Sequence, residues 1–175
     1  MKIINKRWLL NALLLLLVLG LSWFIVQRLN PPRETLESLY DEAMGDEIVS
    51  IHIYRQDPES NIASTLELKK ISGKWMMTSP LQAELDGRKV QHLTTLLTDT
   101  VDASYTIKGK DLSIFGLETE RVSIAFNGVK IQFGSLNPVT HKRYLRKGQT
   151  IYIVSETIYG LLLNNAGSFL QKNSN

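Results

Sequence analysis

Apolar residues are spaced in three different ways along this chain, and each spacing predicts a different element. From residue 8 to residue 26 they are nearly continuous: 19 positions pass without a charge, and nine of them are leucine. As a helix this run is about 28 Å long, close to the ~30 Å hydrocarbon core of a bilayer. Leu13, Leu17 and Leu21 lie along it, and Trp8 at one end with Trp23 and Phe24 at the other suit the two membrane interfaces. Pro31-Pro32 ends the helix, because proline cannot continue its hydrogen-bond ladder. Over residues 33–44 the spacing becomes helical, with Leu36, Leu39, Tyr40 and Ala43 on one side and Gly45 as the stop. This short amphipathic helix either lies on the membrane surface or packs on the domain that follows.

Beyond Gly45 the period drops to two. Val49, Ile51 and Ile53 alternate with Ser50, His52 and Tyr54 and predict a half-buried strand. Strands at 65–71 and 74–78 flank Ser72-Gly73, a two-residue hairpin signal that pairs Leu68 with Met77 and Lys70 with Trp75. After Pro80, Asp86 caps a helix with an apolar stripe of Val90, Leu93, Leu97 and Val101. Asn127-Gly128 is the clearest turn: it sets Phe126 opposite Val129, Ile124 opposite Ile131 and Val122 opposite Phe133, all six on one face. Strands at 143–146 and 150–154 follow. Ser155 then caps a closing helix carrying Ile158, Leu161 and Leu162, with Phe169 a late core contact.

The class these elements define is α+β: an N-terminal transmembrane helix followed by one small domain of mostly antiparallel strands with two main helices. Its two halves are alike in outline, each running through antiparallel strands into a helix. The chain divides into a cytoplasmic tail and transmembrane helix (1–29), a linker with the amphipathic helix (30–45) and an extracytoplasmic domain (46–172).

Charge sharpens this picture. The net charge is +3, but Lys2, Lys6, Arg7, Arg28 and Arg33 all flank the apolar run. From Glu34 onward 15 basic residues face 17 acidic ones, so the domain is mildly acidic and lacks the electrostatic term that drives nucleic-acid binding. The apolar run ends without small residues in a cleavage pattern, which favours a retained anchor over a signal peptide. The excess of Lys and Arg before the helix places the N-terminus in the cytoplasm and the domain in the periplasm of a bacterial inner membrane. With no cysteine, disulfides, thiol catalysis and cysteine-ligated metals are excluded.

Several of these signals follow an order that resembles a known family. Lys74-Trp75 leads to Pro80 and to the helix opened by Asp86 with Val90, Leu93, Leu96 and Leu97. Then come Phe115-Gly116-Leu117-Glu118, Ile131-Gln132-Phe133-Gly134, Arg143-Tyr144-Leu145 and Ile151-Tyr152-Ile153-Val154. Over roughly residues 75–169 this resembles the bacterial domain-of-unknown-function family 4340. The family's proline after the acid of the middle motif is missing here, where Thr119 and Glu120 follow Glu118. The resemblance implies a membrane-tethered accessory domain, with a hint of association with ABC-type transporters, and carries over no catalytic residues.

Chemistry is sparse. His52, His92 and His141 are 40 and 49 residues apart, without the i, i+4 pair that holds zinc on a helix. There is no nucleophile elbow, phosphate loop or dinucleotide fingerprint, so no cofactor and no nucleotide are expected. Lys142, Arg143, Arg146 and Lys147 put four basic residues within six positions. They read either as a solvated hairpin edge or as a surface for an anionic partner or lipid headgroups. Three functions fit these features. The first is a non-catalytic accessory subunit of an integral membrane protein complex, in contact with membrane lipid. The second is a tethered module binding a glycan, lipid or peptide near Trp75 or the basic segment. The third is a hydrolase with a dispersed site.

Overall fold

The computed structural model describes residues 6–29, 38–57, 60–156 and 158–171. The chain divides into two compact units between Leu36 and Glu37. The first contains α1 (Lys6–Leu29), a helix of 24 residues. Its described large apolar side chains are exposed, Trp8 at 67%, Leu17 at 57% and Trp23 at 69%, with Leu13, Leu21 and Phe24 alike. Side chains are described at Trp8 and over 11–24, a stretch of about 21 Å in which Asn11, Gly20 and Ser22 dilute the leucines. Among the described residues no helix is long and apolar enough to cross a membrane. The transmembrane helix expected within 1–29 thus rests on the sequence of the whole run.

The second unit is α+β, built on one nine-stranded antiparallel sheet. Its strands are β1 (Ser50–Gln56), β2 (Ala63–Ile71), β3 (Lys74–Ser79), β4 (Ala83–Glu84), β5 (Val101–Thr106), β6 (Val122–Phe126), β7 (Val129–Leu136), β8 (Arg143–Lys147) and β9 (Thr150–Val154). Two helices, α2 (Gly87–Thr94) and α3 (Tyr159–Leu163), complete it. The order β4-β3-β2-β1-β6-β7-β8-β9-β5 is two meanders laid side by side, joined where β1 pairs with β6. Each meander leads into a helix, and the chain then crosses to the outer edge of the other meander. After α2 it forms β5 against β9. After α3, Leu170 bridges Leu85, with Asp86 N–H donating to Phe169 O (2.9 Å) and Gln171 N–H to Glu84 O (3.2 Å).

Both predicted hairpins form in the predicted register. Leu68 faces Met77 and Lys70 faces Trp75. Phe126 faces Val129, Ile124 faces Ile131 and Val122 faces Phe133. At each tip two residues take positive φ, Ser72 (51°) with Gly73 (81°) and Asn127 (47°) with Gly128 (89°), the geometry that matches the twist of paired strands. Asn127 also ties down the incoming chain. Its Oδ1 accepts from Val49 and Ser50 N–H (both 2.9 Å), and its Nδ2 donates to Glu47 O (2.7 Å) and Met44 O (2.5 Å). The inner sheet face, with Ile51, Ile53, Ile124 and Phe126 at its centre, packs on Val90 and Leu93 of α2, Leu162 of α3 and Phe169.

Three expectations need correction. Of the helix predicted over 33–44, the described residues 38–44 hold a single 3-10 turn, Glu42–Met44, capped by Asp41, and residues 30–37 lie outside the described residues. Leu39 and Met44 are buried in the domain core, so this segment packs on the domain. Helix α2 ends at Thr94 and tightens into a 3-10 turn, Thr95–Thr98, so Val101 is a strand residue and Leu96 joins the core. The cause is a run of threonines: Thr94, Thr95 and Thr98 each donate a hydroxyl to the carbonyl three residues earlier (2.7–3.1 Å), competing with the α-helical ladder. Ser155 does not cap α3; its hydroxyl donates to Asp99 Oδ2 (2.6 Å), and Ile158 holds the cap position.

Candidate functional site around Arg143

Strand alternation divides the basic segment. Arg143 and Lys147 stand in register with Val154 and Thr150, on the side of the core residue Leu145, whereas Arg146 points to the opposite face. Lys142 pairs with Asp102, and Arg146 Nε donates to Gly148 O (3.1 Å). Lys147 has a side chain only 12% exposed. Its ammonium donates to Leu39 O (3.1 Å) and Tyr40 O (3.3 Å) and pairs with Asp41 (3.3 Å), fastening the entering segment to the sheet. The Ala43 backbone N–H, and after it Lys147, hold the Asp41 carboxyl below its ordinary range. The four residues therefore form no single basic patch.

Arg143 is the buried member, 7% exposed. Its Nε donates to Glu156 Oε1 (3.1 Å), its Nη2 meets the same oxygen, and its Nη1 donates to Gly134 O (2.5 Å). The guanidinium carbon lies 3.5 Å from the ring centroid of Tyr159, a cation–π contact. A buried guanidinium is stable only when its charge and donors are answered, and this arrangement answers most of them.

Gly134 is the point where separated segments meet. A Cβ there would lie 2.2 Å from Phe115 O and 2.9 Å from Leu117 Cγ, so only glycine lets the 3-10 turn Leu112–Phe115 and its exit cross β7. Gly116 closes the turn at φ 65° against the Ser135 backbone. Next to it Gln132 Nε2 donates to Leu117 O (3.1 Å), and the Phe115 ring packs edge-on to Tyr144 at 5.0 Å and 83°. Three of the motifs quoted for the family resemblance thus touch one another. They border a hollow of ≈ 370 Å³ lined by Ser113, Glu118, Arg121, Ser135, Arg143 and Tyr159 among others. Of these the sequence nominated only Arg143. Tyr159, and Glu156 paired with Arg143, follow β9 and carry no local signal of their role.

A second concavity, ≈ 810 Å³, opens beside Trp75 and the start of α2. Its cations are engaged: Lys74 pairs with Glu84 (3.1 Å), Arg88 with Asp86 (3.0 Å), and Lys89 donates to Ser168 O. The Arg88 side chain, then its backbone N–H, holds the Asp86 carboxyl below the ordinary range. Gln171 is on the rim, and residues 172–175 lie outside the described residues.

The histidines sit on three different elements: His52 on β1, His92 in the last turn of α2 and His141 just before β8. Among the described residues no histidine side chain hydrogen-bonds a serine or a carboxylate, and no group of three or more His, Asp or Glu residues is placed to hold a metal. The chain was compared with family models, curated proteins and solved structures, and none matches it.

Proposed function

We propose that the chain is a membrane-anchored, non-catalytic accessory subunit of a bacterial inner-membrane complex, with α1 as the anchor and the domain making protein contacts on the periplasmic side. The observation that carries this reading is the run of 19 uncharged positions from residue 8 to residue 26 in the sequence. Over Lys6–Leu29 it forms a helix on which Trp8, Leu13, Leu17, Leu21 and Trp23 are exposed. Exposed apolar surface costs about 25 cal/mol per Å² in water, so a stripe-free leucine helix needs lipid or protein around it. Membership of the domain-of-unknown-function family 4340, and a transporter as the partner, belong to the same proposal. Its support there is the ordered motifs, three of which meet around Gly134.

The test is purification of the full-length chain from bacterial membranes in mild detergent. Co-purification of one stoichiometric membrane protein is expected, and a chain that runs alone contradicts the accessory role. A tethered binding module is the second reading, favoured by the two concavities beside Trp75 and Arg143. The hydrolase reading draws no support from the placement of the histidines.

A further inference from the structure

We infer that the hollow over Arg143 is a binding site for a carboxylate, presented either by a free small acid or by an acidic peptide. A guanidinium carries five N–H donors. Among the described residues Arg143 spends three, two converging on one oxygen of Glu156 and one on Gly134 O. Two remain, on a side chain only 9% exposed that lines the hollow. Tyr159 covers one face of the guanidinium, so an acceptor approaches in its plane, the geometry that suits a carboxylate.

Charge selects among anions. Arg143 is already neutralised by Glu156 and contributes donors, while the exposed Arg121 on the rim contributes the attracting charge. With Glu118 on the same rim and Glu156 paired to Arg143, two cations face two anions and the site is net neutral. A neutral site lined by N–H donors takes one negative charge more readily than the two of a dianion such as phosphate. The hydroxyls of Thr119 and Ser135 supply further polar contacts, and ≈ 370 Å³ suits a ligand of a few heavy atoms up to the end of a peptide side chain. This site does not depend on α1 being an anchor.

The experiment is an amide NMR titration of the ¹⁵N-labelled full-length chain in detergent micelles at constant ionic strength. Its arms are sodium acetate, a blocked glutamate-containing dipeptide and inorganic phosphate. Saturable shifts are expected at Gly116, Gly134, Ser135 and Tyr159, with Kd of about 1–10 mM for so small a ligand as acetate. Much tighter binding of the dipeptide identifies a peptide as the source, and equal or weaker binding a free acid. Arg143→Lys is a poor probe because it also removes structural contacts, so the deciding variant is Arg121→Gln at the rim. It is expected to weaken acetate binding about tenfold without altering the remaining spectrum. Shifts that sodium chloride reproduces, phosphate binding tighter than acetate, or an unchanged Kd in Arg121→Gln overturns the proposal.

Discussion

Replacing Gly134 by alanine puts a methyl carbon 2.2 Å from Phe115 O, 2.9 Å from Leu117 Cγ and 3.1 Å from Leu117 Cδ2. The first of these atoms is backbone, so relief requires the turn at 112–117 to lift from β7. Lifting it stretches the Gln132–Leu117 hydrogen bond and the Phe115–Tyr144 contact, and displacing Gly134 O removes an acceptor from buried Arg143. Overpacking costs about 1–3 kcal/mol and a weakened hydrogen bond to a buried charge about 1.5–3 kcal/mol, so a loss of about 3–4 kcal/mol is expected. For a domain of this size that is a fall in Tm of roughly 10–15 °C. Gly160→Ala is the control: nothing lies within 4 Å of its Cβ position, and alanine favours the helix by about 0.5–1 kcal/mol. Thermal melts of the full-length proteins in one detergent compare the two. A Gly134→Ala protein melting within about 2 °C of wild type, well inside the shift that 1 kcal/mol produces, would refute the packing argument.

Asn127→Ala removes five hydrogen bonds and leaves a non-glycine residue at positive φ, so destabilisation by about 2–3 kcal/mol is expected, with faster amide exchange at Val49 and Ser50 as the local readout. The Asp41 and Glu120 carboxyls are both held below their ordinary range. In Asp41 the Ala43 N–H and Lys147 do this; in Glu120 burial pushes the carboxyl up, and the Ser123 hydroxyl and Lys130 together outweigh it. Groups depressed in the folded state contribute stability that is present above their unfolded pKa and lost as pH falls through the folded one. Melting temperature is therefore expected to hold steady from neutrality down to about pH 5 and to fall below about pH 4, with a smaller fall in the double variant Asp41→Asn, Glu120→Gln. Lys147→Met is expected to leave the sheet folded while exposing 38–44 to limited proteolysis, because the ammonium holds the carbonyls of Leu39 and Tyr40.

Much of the sheet could be read from local pattern, because its hairpins state their own register. Asn127-Gly128 and Ser72-Gly73 combine a turn that demands positive φ with alternation on both sides, and one slip would turn every apolar side chain outward. Strand β5 escaped notice because its alternation is broken by a bulge after Val101 and its partner β9 lies about fifty residues away. The basic segment misled in a different way: four charges adjacent in sequence are sent to opposite faces by the pleat, and two become internal fasteners. The hollow was legible only in part. The reason Gly134 must be glycine lies in Phe115, 19 residues earlier, and the partners of Arg143 lie 13 and 16 residues later. Such requirements are set by tertiary contact and leave no periodic trace.

Alkaline carbonate extraction of bacterial membranes, followed by intact-mass measurement of the full-length protein, tests the anchor most directly. The account predicts that the protein stays in the membrane pellet at its full 19.8 kDa. Recovery in the soluble fraction, or a mature chain that begins beyond Gln27, would contradict it.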